Sequence, residues 1–200
     1  YSMILVILAH PNFDKSVANS TIINELKKSN LELEIRDIHS LYPDYKIDVK
    51  AEQEALLRHQ TIVFQCPFYW LNIPAILKIW FEEVFEYQFA YGSKGDKLKD
   101  KNFILSSTVG AGEKEYKLVG KHHRDISEFI KNIEQTAYGS QMNYLPPTFL
   151  YSSSLKAGNL SDEVSKRAKE HAKKLITRLT EINELSKTSG EIISKVYTKN

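Results

Sequence analysis

The segment from Thr61 to Pro74 constrains the fold more than any other part of the sequence. Residues 61–66, TIVFQC, form a short apolar and β-branched run, which is typical of a strand buried on both faces. Pro67 cannot donate a ladder hydrogen bond and is expected to end the strand, while Pro74 suits the first turn of a helix. Three aromatic residues lie between the prolines: Phe68, Tyr69 and Trp70. Ligands bind at the carboxyl ends of strands in open α/β sheets, so this loop either binds a planar aromatic ligand or packs against the next helix.

The amino-terminal segment predicts another buried strand, followed by a helix. Met3–Ala9 is a continuous apolar run, typical of parallel sheets, and a polar loop follows it. A helix is predicted from about Ser16, and its first, unpaired backbone N–H groups can bind a phosphate. Ser16 can add a hydroxyl donor, and His10 can donate a ring N–H or supply positive charge. Ser16 is also a common helix cap, so the segment by itself leaves both interpretations open.

The rest of the chain continues to alternate strands and helices. Leu31–Asp37 alternates apolar and charged residues, which indicates a strand near the edge of a sheet with one exposed face. A last strand lies within residues 141–151 and is interrupted by Pro146 and Pro147. The other predicted elements are a helix at 51–59, a helix after Pro74, a strand at 102–107, a helix at 124–138 and a final helix capped by Ser161.

The helix after Pro74 is apolar on more than one face. Its apolar residues are Ala75, Ile76, Leu77, Ile79, Trp80, Phe81, Val84 and Phe85. A surface helix buries a single stripe, and a larger exposed apolar patch usually marks an interface. The pattern therefore predicts that a second copy of the chain covers this helix. Deeper burial within one chain is the alternative.

The fourth predicted strand ends in a glycine-containing loop, residues 108–113. Gly110 and Gly112 let the backbone approach a ligand closely. The dinucleotide fingerprint G-x-G-x-x-G is absent, because Glu115 occupies the position of its third glycine. The loop amides and Thr108 can still contact the polar edge of a ligand.

Composition argues against several classes of protein. A net charge of +2, with lysines interleaved with acids, argues against a nucleic-acid-binding protein. The single cysteine, Cys66, excludes an internal disulfide and fits a reducing compartment. No apolar run approaches the roughly 20 residues that cross a bilayer, and no signal peptide is visible. The sequence thus predicts a cytoplasmic protein that does not span a membrane, and it predicts no metal site.

Together these elements predict one α/β domain over residues 3–182, with 183–200 as a tail or helix extension. The alternation is typical of a doubly wound, five-stranded parallel sheet in the order 2-1-3-4-5, with helices on both faces. In that order a ligand crevice opens between the ends of strands one and three. The phosphate, aromatic and glycine loops meet there, and a phosphorylated flat ring system, flavin mononucleotide (FMN), fits all three.

Several motifs in register resemble the flavodoxin-like NAD(P)H:quinone oxidoreductases. They are Ala9-His10-Pro11, Leu41-Tyr42-Pro43, Ala51–Leu56, Pro67-x-x-Trp70-x-x-x-Pro74-x-x-Leu77-Lys78-x-Trp80, Val84-Phe85, Ala90-Tyr91-Gly92 and Tyr144-Leu145-Pro146-Pro147. The most similar subgroup is the short bacterial KefF-like type, which is associated with potassium-efflux channels. The resemblance covers Met3 to about residue 180. It implies a flavodoxin-like fold, a homodimer, non-covalent FMN (FAD in longer relatives) and ping-pong, two-electron transfer from NAD(P)H to quinones.

The resemblance also implies which residues bind the cofactor. They are His10, Ser16, Val17, Ala18 and Asn19 for the phosphate, Pro67, Phe68, Tyr69, Trp70 and Leu71 for the ring, and Thr108, Val109, Gly110 and Ala111 in a second ring-side loop. The amides of residues 69–71 and 109–111 can stabilise negative charge on a reduced ring. The departures from the family pattern, which can alter ring tilt or substrate clearance, are Leu71, Gln88, Val109 and Ala111. The candidates for protonating a quinone are Tyr116, His122 and His123.

Two other functions remain open on the sequence. One is an ancillary subunit that docks on a potassium-efflux transporter and uses the same flavin and nucleotide site. The other is a flavodoxin-type one-electron carrier, which the chain length and the lack of a strongly acidic balance disfavour. The preferred prediction is an FMN-dependent oxidoreductase that passes hydride from NAD(P)H to quinones or related electrophilic acceptors.

Overall fold

The computed structural model describes residues 4–188 in full and the helical backbone of residues 189–197. A parallel β-sheet lies at its centre. The strands are β1 (Ile4–Leu8), β2 (Leu33–Asp37), β3 (Thr61–Pro67), β4 (Asn102–Thr108), β5 (Asn143–Tyr144) and β6 (Thr148–Leu150). The central strands β1, β3 and β4 are buried almost throughout, because helices cover both faces of the sheet.

The strand order β2-β1-β3-β4-β5 confirms the order that the sequence predicts. Two short strands share the last position, since β5 and β6 both pair with β4 in parallel. Asn102 lies opposite Asn143, and Ser106 lies opposite Thr148. The predicted interruption falls between them, at the two consecutive prolines, because proline has no N–H for the ladder.

The α-helices are α1 (Val17–Lys28), α2 (Ile38–Leu41), α3 (Val49–Arg58), α4 (Ala75–Val84), α5 (Ile126–Phe129), α6 (Lys131–Gly139) and α7 (Ser161–Tyr197). The helices α1 and α7 pack on one face of the sheet, and α2, α3, α4 and α6 pack on the other. α3 begins earlier than predicted because Asp48 caps it, accepting a hydrogen bond from the Ala51 N–H at 3.0 Å. The predicted helix at 124–138 is divided at Ile130, whose φ of −110° and ψ of 10° depart from helical values.

The expectation that a second copy covers the surplus apolar face of α4 is wrong. Its large apolar residues are buried within one chain: Ile76, Leu77, Trp80, Phe81 and Val84. Trp80 packs edge-on against Phe64 of β3, with ring centroids 5.7 Å apart. Its Nε1 donates to the buried carboxylate of Glu52 in α3 at 2.9 Å. These partners come from distant segments, so the periodicity of α4 alone could not reveal them.

The last helix, α7, starts at the predicted serine and buries a stripe of Val164, Ala168, Ala172, Leu175 and Leu179. Ser161 is its first residue rather than its cap. The backbone stays helical past residue 182, and the division into a domain of residues 3–182 and a tail of residues 183–200 stays a prediction. No helix within residues 4–197 has both the length and the hydropathy that crossing a bilayer requires.

Candidate ligand-binding site

A cavity of about 610 Å³ opens at the carboxyl ends of β1, β3 and β4. Its volume lies within the range of small-molecule and cofactor sites. The lining residues are His10, Asn12, Lys15–Asn19, Pro67–Tyr69, Thr108, Gly110 and Ser153–Lys156. The three loops that the sequence predicts to meet between β1 and β3 therefore surround one cavity. A larger groove of about 830 Å³, between the carboxyl end of α1 and α7, contains none of the predicted site residues.

The N-terminus of α1 forms the first wall. Ser16 is its N-cap, and the Ser16 Oγ accepts a hydrogen bond from the Asn19 N–H at 3.1 Å. The N–H groups of Val17 and Ala18 have no acceptor in the described part of the chain. The first turn contains no acidic side chain, and Lys15 lines the same wall. Ser16 is thus both a cap and part of a helix end that suits a phosphate.

Asn19 links this wall to the sheet. Its Nδ2 donates to Ser16 Oγ at 3.1 Å and to Thr108 Oγ1 at 2.9 Å. Its Oδ1 accepts from Gln65 Nε2 at 2.9 Å. Asn19, Gln65 and Thr108 are all buried. Both amide hydrogens of the Asn19 side chain are therefore used within the protein.

His10 extends the same wall from the end of β1. Its Nδ1 accepts a hydrogen bond from the Asn12 N–H at 2.9 Å, which leaves the ring proton on Nε2. Burial lowers the pKa of His10, His39 lowers it further, and Asp37 acts in the opposite sense. Both observations favour a neutral His10 ring whose Nε2–H is available to donate.

Pro67 and Phe68 begin the second wall. The predicted strand stops at residue 66, before Pro67. In the structure β3 includes Pro67 as its last residue, which lies opposite Thr108. The pairing continues because the Phe68 N–H donates to Thr108 O at 2.7 Å. Phe68 is half-buried and packs edge-on against Tyr116 and Phe129, with ring centroids 5.8 Å and 6.0 Å away. Its position is thus fixed from behind by other aromatic rings.

A tight turn holds Trp70 and Leu71, which do not line the cavity. The Tyr69 N–H donates to Asn72 O at 2.7 Å, and the Asn72 N–H donates to Tyr69 O at 3.2 Å. Trp70 and Leu71 take left-handed backbone, with φ of 45° and 65°, which costs about 1–2 kcal/mol for each such residue. Trp70 is 92% exposed. Strained backbone of this kind clusters at binding sites and switch regions.

The loop after β4 contributes less than predicted. Gly110 lines the cavity, and a Cβ at this position would lie 3.2 Å from the Cβ of Ser154, so glycine lets the two loops pack closely. Val109 is fully buried in an apolar cluster, and Ala111 packs against the same cluster. Neither Val109 nor Ala111 lines the cavity.

The expectation that every amide of residues 69–71 and 109–111 is available to a ligand is wrong in two cases. The Tyr69 N–H is bonded to Asn72 O, and the Val109 N–H donates to Leu150 O at 2.7 Å. Within the described residues, the loop amides without an acceptor are those of Trp70, Leu71, Gly110 and Ala111.

The three candidates for protonating a quinone, Tyr116, His122 and His123, lie outside the cavity lining. Tyr116 is buried and stacks on His122, with ring centroids 4.4 Å apart. Burial raises the pKa of Tyr116. His123 is exposed, and its Nδ1 lies 3.4 Å from Leu118 O. Tyr116 therefore supports Phe68 from behind and does not face the cavity.

Sequence reasoning missed a fourth wall, formed by the loop Ser153–Lys156. This loop is tied to the previous one, since the Ser153 N–H donates to Val109 O at 3.0 Å. A signal was available, because the loop follows the last strand and the carboxyl ends of parallel strands share one sheet edge. Lys156, like Lys15, adds positive charge to the lining.

Comparison with known proteins places the chain in a family. A family model described as having a flavodoxin-like fold matches residues 2–176. The chain belongs to this flavodoxin-like family. The uncharacterized NAD(P)H oxidoreductase YrkL of Bacillus subtilis is 42% identical over 142 residues, which is 71% of this chain and 81% of YrkL. The glutathione-regulated potassium-efflux system ancillary protein KefF of an Enterobacter species is 38% identical over 145 residues, which is 72% of this chain and 81% of KefF.

The chain is also similar in three-dimensional structure to a solved protein. It is the general stress protein 14 of Treponema denticola in complex with FMN, and it superposes with a TM-score of 0.80. The two chains are 32% identical, and the match covers 88% of this chain and 99% of that one.

Proposed function

We propose that the chain is an FMN-dependent oxidoreductase that transfers hydride from NAD(P)H to quinones or related electrophilic acceptors. The observation that carries the proposal is one cavity that contains both a helix N-terminus suited to phosphate and the aromatic loop Pro67–Tyr69. The FMN complex of the Treponema denticola protein supports the cofactor, and the YrkL likeness supports NAD(P)H as the electron donor.

The α1 wall fits the phosphate of FMN. Ser16 would donate its hydroxyl, Val17 and Ala18 would donate backbone N–H groups, and His10 would donate its ring N–H. The positive end of α1 favours the anion, and so does Lys15. The two backbone donors need no rearrangement, because neither N–H group is already paired within the described residues.

The second and third walls fit the ring system. Phe68 and Tyr69 present flat apolar surface, and Thr108 presents a hydroxyl. The free amides of Gly110 and Ala111 are the remaining donors of the loop after β4. Donors fixed in this way can stabilise negative charge on a reduced ring.

FMN, when bound, would supply the redox chemistry by accepting a hydride from NAD(P)H and passing two electrons to a second substrate in a ping-pong cycle. The role of the chain is to bind and orient the reactants. The proposal needs no protein acid, and Tyr116, which lies outside the cavity lining, is not placed to act as one.

An absorbance spectrum of the purified protein, followed by mass analysis of the released cofactor, tests the proposal. We expect a flavin spectrum and the mass of FMN, while the mass of FAD would revise the cofactor alone. NAD(P)H oxidation with menadione should exceed the rate given by free FMN at the same concentration. Flavin-loaded protein with no turnover above free FMN would contradict the proposed activity.

We further propose a homodimer, which the family resemblance implies. Its support comes from exposed aromatic side chains and no longer from α4. Trp70 is almost fully exposed, and Tyr87 and Tyr91 form an exposed pair with ring centroids 5.7 Å apart. Light scattering should give twice the mass of one chain, and Trp70→Ala should weaken the association. A monomer at micromolar concentration would contradict the dimer.

The likeness to KefF favours one second function, that of an ancillary subunit of a potassium-efflux transporter that uses the same flavin and nucleotide site. The test is affinity capture of the tagged protein from solubilised membranes, with the captured transporter identified by mass spectrometry. Recovery of a potassium/proton antiporter would support this function. If no antiporter is captured under conditions that retain other membrane complexes, the ancillary function is contradicted and only the reductase function remains.

A further inference from the structure

Gln65 of β3 is fully buried and lies outside the predicted site residues. Its Nε2 donates to Asn19 Oδ1 at 2.9 Å, and its Oε1 has no hydrogen-bond partner in the described part of the chain. If the Gln65 amide were reversed, two amide oxygens would meet and this hydrogen bond would be lost. The contact therefore couples the two amides: in the structure Gln65 donates and Asn19 accepts, and neither amide can reverse alone without losing the bond.

The orientation of the Asn19 amide in turn fixes two hydroxyl groups. With its Oδ1 held by Gln65, Asn19 directs Nδ2 to Ser16 Oγ and Thr108 Oγ1. Ser16 Oγ also accepts the Asn19 backbone N–H, so its acceptor positions are filled and its own proton is left to donate elsewhere. Thr108 Oγ1 is likewise an acceptor from Asn19 and retains its proton. Ser16 and Thr108 both line the cavity.

A reversed Asn19 amide would have the opposite effect. Its Oδ1 would accept the protons of Ser16 and Thr108, and the hydroxyl lone pairs would be left for the ligand. Oxygen lone pairs repel a phosphate, whereas hydroxyl donors form charge-assisted hydrogen bonds with it. The direction of one buried amide thus decides whether this wall attracts or repels an anion.

We propose that Gln65 is a positioning residue that acts through Asn19 to hold the hydroxyl of Ser16 as a donor toward an anionic ligand and the hydroxyl of Thr108 as a donor toward the ring system. Gln65 does not line the cavity, so it acts without touching the ligand. The proposal rests on the proposed function in taking that anion to be the phosphate of FMN. It also gives Asn19 a different role from the predicted one, because its side chain acts on the ligand through its two neighbours.

The test measures FMN and riboflavin binding to the apoprotein by quenching of flavin fluorescence. Gln65→Glu replaces the donor by an acceptor of the same shape, and Gln65→Met removes hydrogen bonding at similar volume. We expect the FMN affinity to fall about thirtyfold in Gln65→Glu and about threefold in Gln65→Met. Riboflavin lacks the phosphate, so its affinity should fall much less. Ser20→Ala is the matched control, because this α1 hydroxyl donates to Val17 O at 3.2 Å and does not line the cavity.

A double-mutant cycle separates this relay from general loss of stability. The effect of Gln65→Glu on FMN affinity should shrink in a Ser16→Ala background, because the hydroxyl through which it acts is gone. Additive losses, or an unchanged ratio of FMN to riboflavin affinity in a folded Gln65→Glu variant, would overturn the proposal. Circular dichroism and thermal unfolding establish that each variant is folded. If Gln65→Glu does not fold, Asn19→Asp replaces it in the cycle, because it removes the Nδ2 donors through which Gln65 acts.

Failure of the proposed function gives a different result. Phosphate binding is measured from the NMR shifts of the Val17 and Ala18 amides. If the wild-type protein binds inorganic phosphate but not FMN, the flavin assignment is wrong. The relay is then judged on phosphate affinity with the same variants. Equal phosphate affinity in wild type and variants would overturn the relay, and wild-type protein that binds neither probe would overturn both proposals.

Discussion

The two main walls of the cavity are built by opposite means. The α1 wall is buried and hydrogen bonded, with Asn19 only 1% exposed and joined to Ser16, Gln65 and Thr108. The aromatic wall ends in an exposed, strained turn, in which Trp70 is 92% exposed. The anionic end of a ligand therefore meets donors that are already in place. The flat end of a ligand meets an aromatic wall that is still exposed, and the bound ligand or a second chain must cover it. Only the α1 wall avoids the cost of ordering side chains on binding.

Acid should destabilise the buried face of the sheet on which α1 packs. His171 of α7 is buried on the α1 face, with Nε2 2.9 Å from Ser106 Oγ, and burial and then Lys174 lower its pKa to about 4. Its unfolded pKa is near 6.5, so the unfolded state binds the proton more strongly. The stabilisation is complete above about pH 6.5, and about 3 kcal/mol of it is lost as the pH falls through about 4.

Urea unfolding at pH 7 and pH 4.5 measures this loss. His171→Gln keeps a donor for Ser106 but cannot take up a proton, so its free energy of unfolding should fall less between the two pH values. If the variant and the wild type lose the same free energy, His171 is not the group responsible.

A carboxylate at the cap should separate helix capping from phosphate binding. Aspartate is as good an N-cap as serine, so Ser16→Asp should leave the free energy of unfolding nearly unchanged. Its negative charge opposes the phosphate at the helix end, and FMN affinity should fall about a hundredfold, or about 2.7 kcal/mol. Riboflavin affinity, measured by the same fluorescence titration, is the control. Equal losses for both ligands would show that the α1 wall does not hold the phosphate.

The buried wall is also the part of the site that sequence could predict. Its position follows from element order, since Met3–Ala9 and residues 61–66 have the composition of buried strands and Ser16 that of a helix start. Local pattern places these segments at one sheet edge but does not pair side chains. Gln65 and Asn19 are 46 residues apart, and their hydrogen bond depends on the register of β1, β3 and β4.

The aromatic wall could be recognised as a loop but not in its geometry. Tryptophan and leucine seldom take left-handed backbone, so their composition gives no signal for the turn at Trp70 and Leu71. The turn is set by the paired hydrogen bonds of Tyr69 and Asn72. The apolar surplus of α4 misled for a similar reason, because the residues that cover Trp80 lie in other segments.

Trp70→Ala tests whether the exposed aromatic wall contributes to flavin binding. An almost fully exposed side chain adds little to folding, so the free energy of unfolding of the ligand-free protein should change by less than about 0.5 kcal/mol. If Trp70 completes the ring site on binding, affinity for both FMN and riboflavin should fall about tenfold, the order of one aromatic contact. Leu118→Ala removes another exposed apolar side chain, 81% exposed and outside the cavity lining, and should change neither affinity. Unchanged flavin affinity in Trp70→Ala would place this tryptophan outside the ring site.

The smallest expected effect comes from relieving the turn itself. Leu71 has a φ of 65°, and glycine adopts this conformation without the cost of about 1–2 kcal/mol that a Cβ brings. Glycine loses more entropy on folding, about 0.5–1 kcal/mol, so Leu71→Gly should raise the free energy of unfolding by about 0.5 kcal/mol and the melting temperature by about 1–2 °C. Leu118→Gly, at an exposed position without left-handed backbone, should lower both. A lower melting temperature for Leu71→Gly would mean that the leucine side chain stabilises the folded state by more than its backbone strain costs. The α1 wall and the aromatic wall would then differ in exposure and not in strain.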